Sequence, residues 1–194
     1  MNFRRMFALV FSICFLGLVP AFAHTGAGST VGFWHGAEHP ISGLDHILAM
    51  VTVGLWAAQL RGRALWGIPL AFVGAMALGG ALGMMGVAVP FVEGGIVLSV
   101  LLLGFFVATS LRLPLPLSAV IVGIFAIFHG NAHGLEMPET ASGLLYGAGF
   151  IISTAVLHMV GIGLGVGMQR LLRAPAVRLV GGAVALGSIY LYFA

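Results

Sequence analysis

Long unbroken apolar stretches, rather than an alternation or a 3.6-residue rhythm of polar and apolar positions, organise this chain. Six follow the first two dozen residues, at 39–60, 64–89, 91–110, 114–133, 142–168 and 175–194. Each comes close to the roughly 20 residues with which a helix crosses a hydrocarbon core. Backbone in lipid must satisfy its own N–H and C=O groups, so such stretches are predicted as helices. The turns between them are short, with Pro90, Pro114, Pro138 and Pro175 at or beside the boundaries, where a fixed φ and a missing N–H cost a helix little. Ahead of them, Arg4 and Arg5 begin an apolar run from Met6 to Leu18 that ends at Ala21-Phe22-Ala23, the layout of a cleavable signal peptide over residues 1–23. The expected fold is an all-α polytopic membrane protein: six transmembrane helices in one domain over 24–194, with His24 as the mature N-terminus.

Composition agrees. Charged residues make up 7% and hydrophobic ones 60% of the chain, against roughly 25% charged in soluble domains, and mean hydropathy is +1.14. A water-soluble globular domain is excluded. The small positive surplus on a nearly uncharged chain does not point to nucleic acid. Arg61, Arg63, Arg112, Arg170, Arg173 and Arg178 fall on alternate connections and therefore on one side, which the positive-inside rule makes cytoplasmic. Glu38, Glu93, Glu136 and Glu139, with Asp45 slightly deeper, collect on the other side, and both mature termini are expected there. Cys14, the only cysteine, lies in the signal segment, so the mature chain offers no disulfide, iron–sulfur ligand or Cys-based zinc site. Glycines spaced by four, such as Gly79/Gly83, Gly143/Gly147, Gly161/Gly165 and Gly163/Gly167, are read as close helix contacts in lipid.

Two stretches carry chemistry. His35-Gly-Ala-Glu38-His39-Pro-Ile-Ser-Gly-Leu-Asp45-His46 runs into the first span. On a continuous helix His39 and His46 would share a face, about 10 Å apart along the axis. An ionised Asp45 inside the apolar boundary would need a cation or strong donors to compensate it, either as a direct ligand or as a group orienting an imidazole. The second stretch, Phe128-His129-Gly-Asn-Ala-His133-Gly-Leu-Glu136, closes the fourth span. His129 and His133 have the i,i+4 spacing with which one helix offers two imidazoles to one ion, and Glu136 extends that stripe if the helix survives Gly134. Nitrogen and carboxylate donors without thiolate fit Ni²⁺, Co²⁺ or Zn²⁺ better than Cu⁺ or Mg²⁺. His158, deep in the fifth span, and His24, His35 and Glu38 on the outer tail are secondary candidates. His35-Gly-Ala-Glu38-His39 also matches the H-x-x-E-H zinc pattern of a protease family, but that pattern requires a folded helix beside a substrate cleft.

His39-Pro-Ile-Ser-Gly-Leu-Asp45-His46 resembles the H-x5-D-H signature of the HupE/UreJ family of nickel permeases, and Phe128 to Glu136 resembles that family's second signature. The resemblance extends over the whole chain and includes Glu93 at the opening of the third span. It implies a bacterial inner-membrane protein passing Ni²⁺ or Co²⁺ to the cytoplasm for hydrogenase or urease assembly. The implied metal-contacting residues are His39, Asp45, His46, His129, His133, Glu136 and Glu93. The metal is cargo, with no tightly bound cofactor; the expected partners are the ion, the bilayer, a further copy of the chain and, indirectly, maturation proteins. Two other classes use the same ligands: an intramembrane zinc hydrolase and a non-transporting metal sensor or accessory subunit. The chain is read as a transporter and not as an enzyme.

Overall fold

The computed structural model describes residues 29–138, 141–171 and 174–193. The signal segment with His24, and also Glu139 and Arg173, lie outside them. The described residues form seven helices and no strand: α1 (Ser29–Ser42), α2 (Leu44–Leu60), α3 (Ala64–Met84), α4 (Val92–Thr109), α5 (Leu115–Leu135), α6 (Gly143–Leu171) and α7 (Ala174–Phe193). The helical class is as expected. Four helices, α3 to α6, are long and apolar enough to cross a membrane, and α1 with α2 reaches that length only as a pair bent by 80°. The apolar part of α7, Pro175–Tyr190, is shorter.

The bend corrects the expectation of one helix over 39–60. Gly43 breaks the helix with φ −95° and ψ 123°, and α1 extends back to Ser29 through a stretch read as an outer tail. Pro40 sits in the last turn of α1, where its missing N–H weakens the ladder. Ser42 Oγ then donates to the His39 carbonyl at 2.7 Å, and α2 restarts with Ile47 N–H donating to the Gly43 carbonyl at 3.0 Å. A Cβ on Gly43 would lie 2.8 Å from Asp45 Oδ1 and 3.1 Å from His46 Nδ1, so a side chain there would push those two groups aside. His39 and His46 therefore belong to different helices, and their shared-face relation along one axis does not exist.

Helix α6 is 29 residues long, about 43 Å, and α1 and α2 both pack along it. Ser153 Oγ donates to the Ala37 carbonyl at 2.6 Å, joining α6 to α1. Closer to the other end a Cβ on Gly161 would lie 2.1 Å from the Val51 carbonyl oxygen of α2. The helices can touch there only because position 161 has no side chain. Gly161→Ala is expected to lower stability by about 1–3 kcal/mol, the usual cost of overpacking, read as an earlier thermal unfolding midpoint in detergent. Gly130 of α5 meets the Met76 carbonyl of α3 in the same way. The expected glycine contacts are met at Gly79, Gly83, Gly161 and Gly165, whereas Gly163 and Gly167 face open space.

One end of the bundle is tied by arginine and amide contacts. Arg61 donates to Gln169 Oε1 at 2.9 Å, Arg178 Nε donates to the Ala108 carbonyl at 2.8 Å, and Trp56 Nε1 donates to the Leu111 carbonyl at 2.9 Å. At the opposite, acidic end Asn131 holds the extended segment after α3: its Oδ1 accepts from Val89 N–H at 2.8 Å and its Nδ2 donates to the Val87 carbonyl at 2.8 Å. That segment was expected to be helix up to 89, but α3 stops at Met84.

Candidate metal centre

The last turns of α5 place His129 and His133 on one face, and the helix continues past Gly134 to Leu135. Glu136 caps it, its N–H donating to the Ala132 carbonyl at 3.1 Å. The bend at Gly43 brings the first turn of α2 against this face. His46 Nε2 lies 3.0 Å from His129 Nδ1 and within hydrogen-bond reach of His133 Nε2. The two sequence motifs thus meet through their imidazoles.

Oxygen atoms behind each ring decide which nitrogens point inward as lone pairs. Asp45 Oδ1, 3.1 Å from His46 Nδ1, accepts an N–H, and Glu136 Oε2, 3.1 Å from His133 Nδ1, does the same. Ser99 has one hydroxyl hydrogen and donates it to the Ile96 carbonyl at 2.6 Å. Its Oγ, 2.8 Å from His129 Nε2, therefore accepts an N–H from the ring. Neutral rings held this way turn His129 Nδ1 and His133 Nε2 toward His46 Nε2 with no hydrogen of their own between them. Buried acceptors left unpaired cost about 1–3 kcal/mol each. A proton or a metal cation among the three nitrogens removes that cost. An oxygen acceptor fixing the outer nitrogen of each imidazole is the usual support of a metal-ligating histidine.

A second donor group overlaps the first. His39, His133 and Glu136 each present a ligand atom, all within 4.8 Å of one another, with His39 Nε2 3.3 Å from Glu136 Oε2. His133 belongs to both groups, but a neutral imidazole has one lone pair, so its ring serves one group at a time: Nε2 the inner group when Nδ1–H faces Glu136, and Nδ1 the outer group in the other tautomer. Side-chain exposure falls along the series from 56% at Glu136 and 32% at His39 to 7% at His133 and 5% at His46; His129 is fully buried. The donors therefore form a chain from the surface into the bundle. The hydrogen bond from His133 holds the Glu136 carboxyl below the usual carboxylate range, and outweighs the burial that acts the other way.

Asp45 is less buried than its place in a continuous span would require. Its side chain is 40% exposed because α2 starts one residue before it. The positive end of that helix, together with His46, compensates the charge. Glu93 lies exposed in the first turn of α4, and among the described residues no hydrogen bond or ion pair joins it to the imidazoles. His35 and Glu38, half-buried and exposed on α1, are likewise outside the cluster. His158 is buried in α6 near Phe72, apart from it. One residue that positions the site was not among the candidates, Ser99 behind His129. A serine inside an apolar run was the only signal available for it.

The family model for HupE/UreJ protein matches residues 12–191. The chain is 48% identical over 171 residues to Protein HupE of Rhizobium leguminosarum bv. viciae, covering 87% of this chain and 88% of that one. No solved structure matches. The chain belongs to the HupE/UreJ family. With its long apolar helices it is a multi-pass membrane protein.

Proposed function

From membership of the HupE/UreJ family and the joined donor groups, we propose that this protein is a permease carrying Ni²⁺ or Co²⁺ into the cytoplasm. It sits in the bacterial inner membrane and supplies metal for hydrogenase or urease centres. In this reading the bent α1–α2 pair and α7 each count as one crossing, giving six, with the acidic end and both mature termini outside and the arginine end in the cytoplasm. The observation that carries the reading is the graded chain of donors from exposed Glu136 to buried His129. Outer carboxylates draw the hydrated ion by electrostatics. His39, Glu136 and His133 replace part of its water, and His133 hands it to His46 and His129. Asp45 orients His46 and balances charge. Several overlapping sites, none with a complete shell, keep binding weak enough for release.

The test is uptake of radioactive nickel by proteoliposomes holding the purified protein. Inward flux is expected; metal binding without flux would favour a sensor or accessory subunit, and substrate cleavage without flux a zinc hydrolase. Protons compete with the ion for the same nitrogens, so uptake is expected to fall when the outer pH drops from about 7.5 to about 5.5. A rate flat across that range would remove the imidazoles from the rate-setting step.

A further inference from the structure

Past His129 the bundle holds one more imidazole without a role. His158 of α6 is 1% exposed, and among the described residues neither of its ring nitrogens has a hydrogen-bond partner. Buried polar groups are nearly always paired, so two orphaned atoms on one side chain call for an explanation. An ionisable residue within a membrane-crossing helix is a functional candidate by default.

The surroundings of His158 place it in line with the imidazole cluster. The buried ring of Phe72, on α3, lies 5.1 Å from the His158 ring, edge to face, and 5.9 Å from the His129 ring, measured between centroids. One helical turn away on each helix, Thr154 Oγ1 donates to Met76 Sδ at 3.6 Å, so the facing surfaces of α3 and α6 are lined by soft or polar atoms beside Phe72. Toward the arginine end Ala58, Arg61, Leu65, Val166, Gln169 and Arg170 line a half-open pocket of about 330 Å³. Leu65 lies seven residues before Phe72 and Gln169 eleven after His158, both close to whole numbers of helical turns. Leu65 and Gln169 therefore lie on the same helix faces as Phe72 and His158, about 10 and 16 Å nearer the arginine end along the two axes.

We propose that His158 is a second, transient divalent-cation site: it takes the ion from His129 past the Phe72 ring and passes it on toward the arginine end. The proposal rests on the transport reading. A single imidazole with both nitrogens free suits an ion in transit, since it offers one ligand and holds nothing else in place.

The experiment uses full-length protein carrying Cys14→Ser, reconstituted with a chelator inside the vesicles and radioactive nickel outside. His158→Phe keeps a flat ring against Phe72 and removes the nitrogens; His158→Cys supplies another ligand atom at the same depth. Flux is expected to fall at least tenfold in His158→Phe, with nickel binding by the solubilised protein retained, and to recover to within about threefold of the parent in His158→Cys. Flux at the parental rate in His158→Phe overturns the proposal and leaves transport standing. Equal loss in both variants, each folded and binding nickel, assigns His158 to packing and also overturns it. Absence of flux in the parent overturns the transport reading itself and this site with it. Should His158→Phe not accumulate, the unique thiol of His158→Cys is labelled by a water-soluble reagent from the arginine end. Nickel is expected to slow that labelling at least threefold, and labelling unaffected by nickel overturns the proposal.

Discussion

Replacing His46 by phenylalanine is expected to reduce nickel accumulation to the background of cells lacking the protein. The ring of His46 packs edge to face against both His129 and His133, with centroids 4.8 and 4.2 Å away, so Phe preserves the shape of the contact. What disappears is Nε2, the atom that both neighbouring imidazoles face. Without it the buried half of the donor chain loses its centre, and His129 keeps Ser99 as its hydrogen-bond partner. Accumulation is measured at matched protein levels in the membrane. Retention of half the parental uptake would show that the ion does not pass between α2 and α5.

Asp45→Asn tests the support rather than the ligand. It keeps the size of the side chain and removes the charge, so the hydrogen bond to His46 Nδ1 weakens and the ring is free to take the tautomer with Nε2–H inward. That tautomer presents a hydrogen where the ion should sit. Loss of an orienting carboxylate of this kind usually costs about 10–100-fold in metal affinity or activity, and uptake should fall within that range. Unchanged uptake at equal membrane levels would remove Asp45 from the mechanism.

The helical class was legible because lipid leaves the backbone few alternatives, and hydropathy marks such helices directly. The break at Gly43 was not. Pro40-Ile-Ser-Gly43 is compatible with a loop, a helix end or a kink, and only packing of α1 against α6 selects the last. The error carried consequences: it placed His39 and His46 on one stripe and Asp45 too deep in the membrane. In the folded chain the two histidines meet His133 from different helices, and Asp45 lies in the first turn of a helix. The pairing of His129 with His133 was legible from i,i+4 spacing, which is local. Their meeting with His46 is a contact between residues more than eighty positions apart, and spacing carries no information about it. Ser99 was invisible for a related reason. A hydroxyl in an apolar helix usually bonds its own backbone, as Ser99 also does, and its second contact belongs to the tertiary structure.

The central claim is that imidazoles from α2 and α5 bind the cargo ion together. X-ray absorption at the nickel edge of the loaded, purified protein tests it most directly. Imidazole scattering from His46, His129 and His133 is expected in the parent and should diminish in His46→Phe. A spectrum with oxygen ligands alone, or one that His46→Phe leaves unchanged, would contradict the account.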